Sequence, residues 1–234
     1  MNSILLRGVI SEEARYSHES HGVRYFSLTI STVRLSGTRD ISKVLISESA
    51  LHMFSPGVGE RVEIEGALRS FNNKSGQGSR LVLSTLAKVI RPSQESSENR
   101  VSVQGVVCKT PIYRRTPLGR EICDLMIAVP RAYGRADYLP VITWGICARM
   151  SAELDVGDSV SVEGRFQSRS YVKNVGEESV EKTAYEISAI HISKLPQSEE
   201  TSKEAPLSAE ADAADAFPPP PKEEEQTEDA VFAL

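Results

Sequence analysis

"DYLPVITWGICARMSAELDVGDSVSVEGRFQSRSY", residues 137–171, passes from a run rich in β-branched and aromatic residues, through a short helical stretch, into a second alternating run. Successive strand residues point to opposite faces. In the second run Val160, Val162 and Phe166 therefore share one face, and Glu163, Arg165, Gln167, Arg169 and Tyr171 share the other, which reads as the solvent side. In the first run Tyr138 and Trp144 have the same parity and hence the same face. Trp144 is the only tryptophan of the chain. Beside Val141 and Ile142 it fits a core; beside the tyrosines and arginines of the polar face it fits an exposed platform. Pro140 cannot donate to a ladder, which points to an edge or a bulge.

Around this stretch the pattern extends to five predicted strands, 101–108, 122–129, 138–146, 159–171 and 183–192, with turn signals at Pro117, Gly119, Gly134, Gly157 and Gly176. One helix, over about 147–154, falls between the third and fourth. Five strands with that helix placement form the pattern of an OB-fold barrel, although a sandwich or another small barrel also accommodates it. Gly105 and Gly164, inside strands, are expected where such a barrel bends or bulges.

The same pattern occurs twice. Residues 7–31 and 104–128 align at an offset of 97, matching Gly8 with Gly105, Gly22 with Gly119, Leu28 with Leu125 and Ile30 with Ile127, and further on Arg34 with Arg131. "VGERVEIEGAL" (58–68) and "VGDSVSVEGRF" (156–166) align at an offset of 98. A period of that size exceeds any solenoid repeat and indicates tandem domains. The expected organisation is a divergent domain over 1–91, a polar linker over 92–100, a second domain over 101–195 and a tail over 196–234. The fold class expected is all-β: two tandem five-stranded OB-fold barrels with one short helix each, followed by a disordered acidic tail.

Charge divides along the same lines. The tail carries two lysines against eleven carboxylates, a net −9, while residues 1–195 carry a net +4. Rich in Glu, Ala, Ser and Pro, the tail has too little apolar surface to offset its ordering entropy and is expected to be disordered. No stretch approaches the roughly 20 apolar residues that span a bilayer, and the start lacks the pattern of a signal peptide. The expectation is a cytoplasmic protein with no membrane partner.

Catalytic readings find little support. Cys108, Cys123 and Cys147 are widely spaced and read as small buried hydrophobes, with neither a disulfide framework nor a metal site. The H-x-x-H of His18 and His21 falls in an expected loop without a nearby third ligand. "NNKSGQGSR" lacks a phosphate-binding pattern and reads as a hairpin, and the carboxylates of "VEIEG" read as exposed, with no acid/base partner in sequence. No catalytic residue, cofactor or metal is expected. Aromatics and arginines on one barrel face instead suit single-stranded nucleic acid, whose bases stack on rings at about 1–3 kcal/mol each while guanidinium groups hold phosphates.

Residues 101–192, and above all 137–171, resemble the bacterial single-stranded DNA-binding protein family, in which a strand ending in an aromatic and Gly leads to an Ala-containing helix and then to "V-x-V-E-G-R-x-Q-x-R-x-aromatic". The resemblance implies that Tyr138, Trp144 and Tyr171 stack on bases, and Arg131, Arg165, Arg169, Arg114 and Arg115 are the phosphate candidates beside them. It implies a homodimer, since the family brings four OB folds together. The end of the tail, "EEEQTEDAVFAL", is similar to the family's partner-docking tip, which implies that Glu228, Asp229, Val231, Phe232 and Leu234 recruit replication and repair proteins. It departs from the family's terminal Pro-Phe. The first domain departs further: at an offset of 98, Tyr138 meets Asp40, Trp144 meets Ile46, Arg165 meets Ala67, Arg169 meets Phe71 and Tyr171 meets Asn73. Phe71, Lys74, Arg80, Arg34 and Lys43 are left as a displaced surface there, if the first domain does not serve assembly alone. Two other OB-fold classes compete with this expectation. A primosome or recombination accessory would act through protein contacts, and a nuclease would need a carboxylate and metal constellation.

Overall fold

The computed structural model describes residues 1–73, 81–175 and 178–196, and leaves side chains at 170–182 outside that description. Among the described residues the strands and α-helices follow in order: β1 Asn2–Ser20, β2 Val23–Val33, β3 Arg39–Ser47, α1 Glu48–Met53, β4 Arg61–Asn72, β5 Leu81–Pro92, β6 Glu98–Val107, β7 Ile112–Arg115, β8 Glu121–Pro130, β9 Ala136–Trp144, α2 Gly145–Ala152, β10 Ser159–Val175 and β11 Glu178–Lys194. The described residues form two compact units, one from 2–69 with 84–101, the other from 102–196 with Met1, 70–73 and 81–83.

In the first unit β1 pairs antiparallel with β2 and β4, β2 with β3, and β3 parallel with β5, which neighbours β4. The ring of five strands is closed. Alternation fills it with Leu6, Leu28, Ile30, Val44, Ile46, Ile64 and Leu68, each at most 1 % exposed. The segment 93–98, expected as a linker, is anchored within this unit. Arg7 pairs with Glu95 and Glu98, and the Ser97 hydroxyl accepts from the Val33 amide at 2.7 Å and donates to the Arg7 carbonyl at 3.0 Å. Glu63, of "VEIEG", is buried rather than exposed. Its bonds to Arg7 foremost, and its pairing with Arg91, hold its carboxyl below the usual range, which is a structural role.

The second unit repeats the ring with β6, β8, β9, β11 and β10, and adds the short β7 on the far side of β8. Val103, Leu125, Ile127, Val141, Val162, Phe166 and Ile187 fill it, and complete burial of Phe166 alone is worth about 1.5–3 kcal/mol. Residues 70–73 belong here because the Ser70 amide donates to Asp137 at 2.8 Å and the Ser70 hydroxyl accepts from the Tyr138 amide at 2.7 Å. Pro140 is tolerated because the β9–β11 ladder starts only at Val141. Gly164 sits at the bulge of β10, where a Cβ would lie 2.1 Å from the Ser188 carbonyl oxygen.

The strand registers correct the internal alignment by one residue. Leu28 pairs with Val44 as Leu125 pairs with Val141, and α1 and α2 begin at Glu48 and Gly145, so the offset stays at 97 through β3 and β9. The extra residue of the second unit enters between the start of α2 and the start of β10. Trp144 is therefore the counterpart of Ser47, and Tyr138 of Ile41, instead of Ile46 and Asp40. A slip of one residue exchanges the two faces of a strand. Ile46 is a core residue at the register of Thr143, and its identity says nothing about the outer face.

Candidate nucleic-acid interface

The outer face of the second unit is assembled from cross-strand neighbours. Trp144 lies opposite Ile122 and Tyr138 opposite Ala128, while Arg114 of β7 meets Ile122 from the other side. Ile142 aligns with Ser188 of β11, and Ser188, Glu186 and Ala184 pair with Arg165, Gln167 and Arg169 of β10. Tyr171 continues the same alternation opposite Lys182, but its side chain lies outside the described residues.

Trp144 and Tyr138 are half-buried, outside the core that fills the ring. The position of Trp144 is informative in itself. It is the N-cap of α2, where a side chain that accepts a hydrogen bond from the first turn is worth about 0.5–2 kcal/mol over one that cannot. Ser47, its counterpart, caps α1 through a bond from the Ala50 amide at 3.3 Å; Trp144 makes no such bond. Gly145 follows with φ of +55°, so the chain turns sharply and leaves the indole at the rim of the sheet. An indole here forgoes helix stability, which marks the position as one kept for another purpose.

The arginines divide differently from the expectation. Arg169 is not on the solvent side: it is 6 % exposed, because its guanidinium lies 3.7 Å from Glu186, itself 1 % exposed and bonded to Gln167 at 2.7 Å. Arg114 pairs with buried Asp124, whose carboxyl is pushed up to about 6 by burial against the opposing pull of that guanidinium. Arg131 lies 3.4 Å from Asp137 as Arg34 grips Asp40 at 2.7 and 2.9 Å in the first unit, so both clamp the turn between equivalent strands. Arg165 reaches Gln167 at 3.4 Å. Arg115 is the most exposed of these arginines and touches Glu121 at 3.3 Å; Arg114 keeps part of its side chain accessible. Arg114 and Arg115 thus remain at the surface, and Arg169 supports it from beneath.

One aromatic escaped the sequence reading. Tyr133 is 98 % exposed at φ +61°, in the turn "RAYGR" between β8 and β9. A ring held outward in a left-handed conformation between Arg131 and Arg135 is a further stacking candidate. The available signal was an aromatic between arginines immediately before a glycine.

Among the described residues no cluster of His, Cys, Asp or Glu is arranged to hold a metal ion. Cys123 is buried and Cys108 and Cys147 are half-buried; burial pushes Cys108 up to about 11 and Cys123 up to about 12, which leaves both as inert thiols. His18 and His21 lie at the tip of a long hairpin instead of in an irregular loop, since β1 runs to Ser20 and His21–Gly22 form the turn at positive φ. The tail residues Glu228, Asp229, Val231, Phe232 and Leu234, and Lys74 and Arg80, lie outside the described residues.

Residues 98–195 match the profile of the family described as "Single-strand binding protein family". The chain is similar to "Single-stranded DNA-binding protein 2" of Listeria innocua, 32 % identical over 85 residues that cover 33 % of this chain and 54 % of that protein. It thus spans about half the length of that relative. Among solved structures it is similar to the wild-type single-stranded DNA binding protein from Thermus aquaticus, with a TM-score of 0.70 at 19 % identity over 85 % of this chain and 94 % of that one. A deletion variant of the same protein gives 0.69 at 19 % identity over 87 % and 98 %. At that identity the likeness is one of fold.

Proposed function

We infer, from the match of residues 98–195 to the single-strand binding protein family and from the outer face just described, that the chain is a non-catalytic protein that binds and coats single-stranded DNA without strong sequence preference. The observation that carries this reading is Trp144, half-buried at a helix N-cap that it cannot cap, on one face with Tyr138 and two strands from Arg114 across Ile122. Duplex bases are already stacked on one another, whereas a single strand offers free π-faces to such a rim. Arg114, Arg115 and Arg165 are assigned to phosphates, with Tyr171 continuing the stack. Each phosphate neutralised on a single strand contributes a slope of about −0.7 in log affinity against log salt. Titration of oligo-dT over a salt series should therefore give a slope of about −2 for three such contacts. Affinity flat with salt, or equal affinity for duplex, contradicts the reading.

The acidic tail is assigned to partner recruitment. Val231, Phe232 and Leu234 form an apolar tip beside Glu228 and Asp229, which suits a hydrophobic pocket with a basic rim on a replication or repair protein. A tethered polyanion also competes with DNA for the same arginines at high effective concentration. Deleting residues 223–234 should leave or slightly raise affinity for oligo-dT at low salt and abolish capture of such proteins from a lysate. Unchanged capture would reduce the tail to a solubilising role. Two chains, supplying four barrels, are the assembly this reading implies, in the cytoplasm and on the nucleoid. Strong partner capture without single-strand binding would instead favour an accessory protein acting through protein contacts.

A further inference from the structure

Once the register is corrected, the first unit shows where an aromatic has moved rather than vanished. Trp144 lies opposite Ile122 across β8 and β9; at the equivalent rung Ser47 lies opposite Tyr25 across β2 and β3. The ring is on the neighbouring strand, at the same level and on the same outer face. His18 of β1 pairs with Tyr25, and the two rings are stacked with centroids 5.2 Å apart and planes 16° from parallel. His18 is exposed and Tyr25 half-buried, so the stack has an open side. Further along that face, alternate residues of β3 include Lys43 and Arg39, both exposed, at the registers of Thr29 and Val33. From Ser11 to Phe26 the hairpin holds Arg15 and Arg24, the latter paired with Glu48, against Glu12, Glu13 and Glu19, so the cations of this face are those of β3.

We propose that this face of the first unit is a second surface for single-stranded nucleic acid, taking a base on the His18–Tyr25 stack and phosphates further along the strand on Lys43 and then Arg39, four and eight residues from that rung of β3. The proposal rests on the reading of the second unit as a single-strand binder. A ring pair that merely braced the hairpin would contribute to its stability alone. A base-stacking surface adds affinity for strands long enough to occupy two barrels, at roughly 4–16 nucleotides each.

Two measurements on the full-length protein test it. Oligo-dT of about 30 nucleotides, long enough for two barrels, carrying 5-iododeoxyuridine at successive positions, should crosslink on irradiation to the peptide holding His18 or Tyr25 as well as to the second unit. In a Trp144→Ala background, adding His18→Ser and Tyr25→Ser should lower the remaining affinity about tenfold, as expected for one lost stack. Lys43→Glu should reduce the salt slope by about 0.7. Crosslinks confined to residues 101–196, together with unchanged affinity in the added variants, would overturn this surface while leaving the second unit's role intact. Absence of binding by the wild-type protein would overturn both. The crosslinking arm uses unsubstituted protein, so a variant that melts early does not blur the outcome.

Discussion

Trp144→Ala is expected to weaken binding of oligo-dT by about 1–3 kcal/mol, roughly five- to 150-fold, and to leave the second barrel folded. The indole sits outside the packed ring, and its removal opens no cavity among the buried residues that fill it. It also frees an N-cap: Trp144→Ser should make α2 slightly more stable while losing as much affinity, since serine supplies the acceptor that the Ser47 counterpart already provides. Ile46→Ala is the control in the opposite sense. It removes a fully buried side chain of the first ring, with an expected cost of about 2–5 kcal/mol in stability. Guanidinium denaturation followed by circular dichroism, beside anisotropy titrations with oligo-dT, separates the two kinds of loss. Unfolding of the second barrel by Trp144→Ala, with no separable loss of affinity, would identify the indole as core.

Arg169→Ala is expected to act on stability before it acts on binding. Its guanidinium and the Glu186 carboxylate are both buried, and removing one member of such a pair leaves the other as an uncompensated charge, a cost of about 3–5 kcal/mol. In a unit of this size that lowers the melting midpoint by on the order of ten to twenty degrees. Replacing both partners, as Arg169→Met with Glu186→Leu, should recover much of the loss, because well-packed apolar residues substitute for a buried pair at little net cost. An Arg169→Ala protein that melts normally and binds weakly would mean that the guanidinium reaches DNA after all.

Particular residues show how far the sequence could be read. The alternation Val160, Val162, Phe166 and the turn signals around it identify the strands: β8, β9 and β10 start and end within a few residues of expectation, whereas β7 is a strand the turn signals do not mark and β11 starts before its expected bound. The repeat was legible from its glycines, whose spacing is dictated by close backbone approach: a Cβ at Gly66 or Gly164 would meet a carbonyl oxygen at 2.2 or 2.1 Å. Two features were not legible. The glycines at 59 and 157 carry the offset of 98, and nothing in the sequence marks where the extra residue enters, so that offset puts β3 one residue out of step and hides the ring at Tyr25. The burial of Arg169 depends on Glu186, seventeen positions away and on another strand, a pairing that alternation along one strand does not contain.

Trp144 as a stacking platform for single strands is open to test by its own fluorescence, because no other tryptophan contributes. Titrating the wild-type protein with oligo-dT should quench the emission to saturation at the stoichiometry at which anisotropy reports binding, and a duplex of the same length and salt should leave it nearly unchanged. Binding seen by anisotropy with no change in tryptophan emission would mean that the indole does not stack on bases.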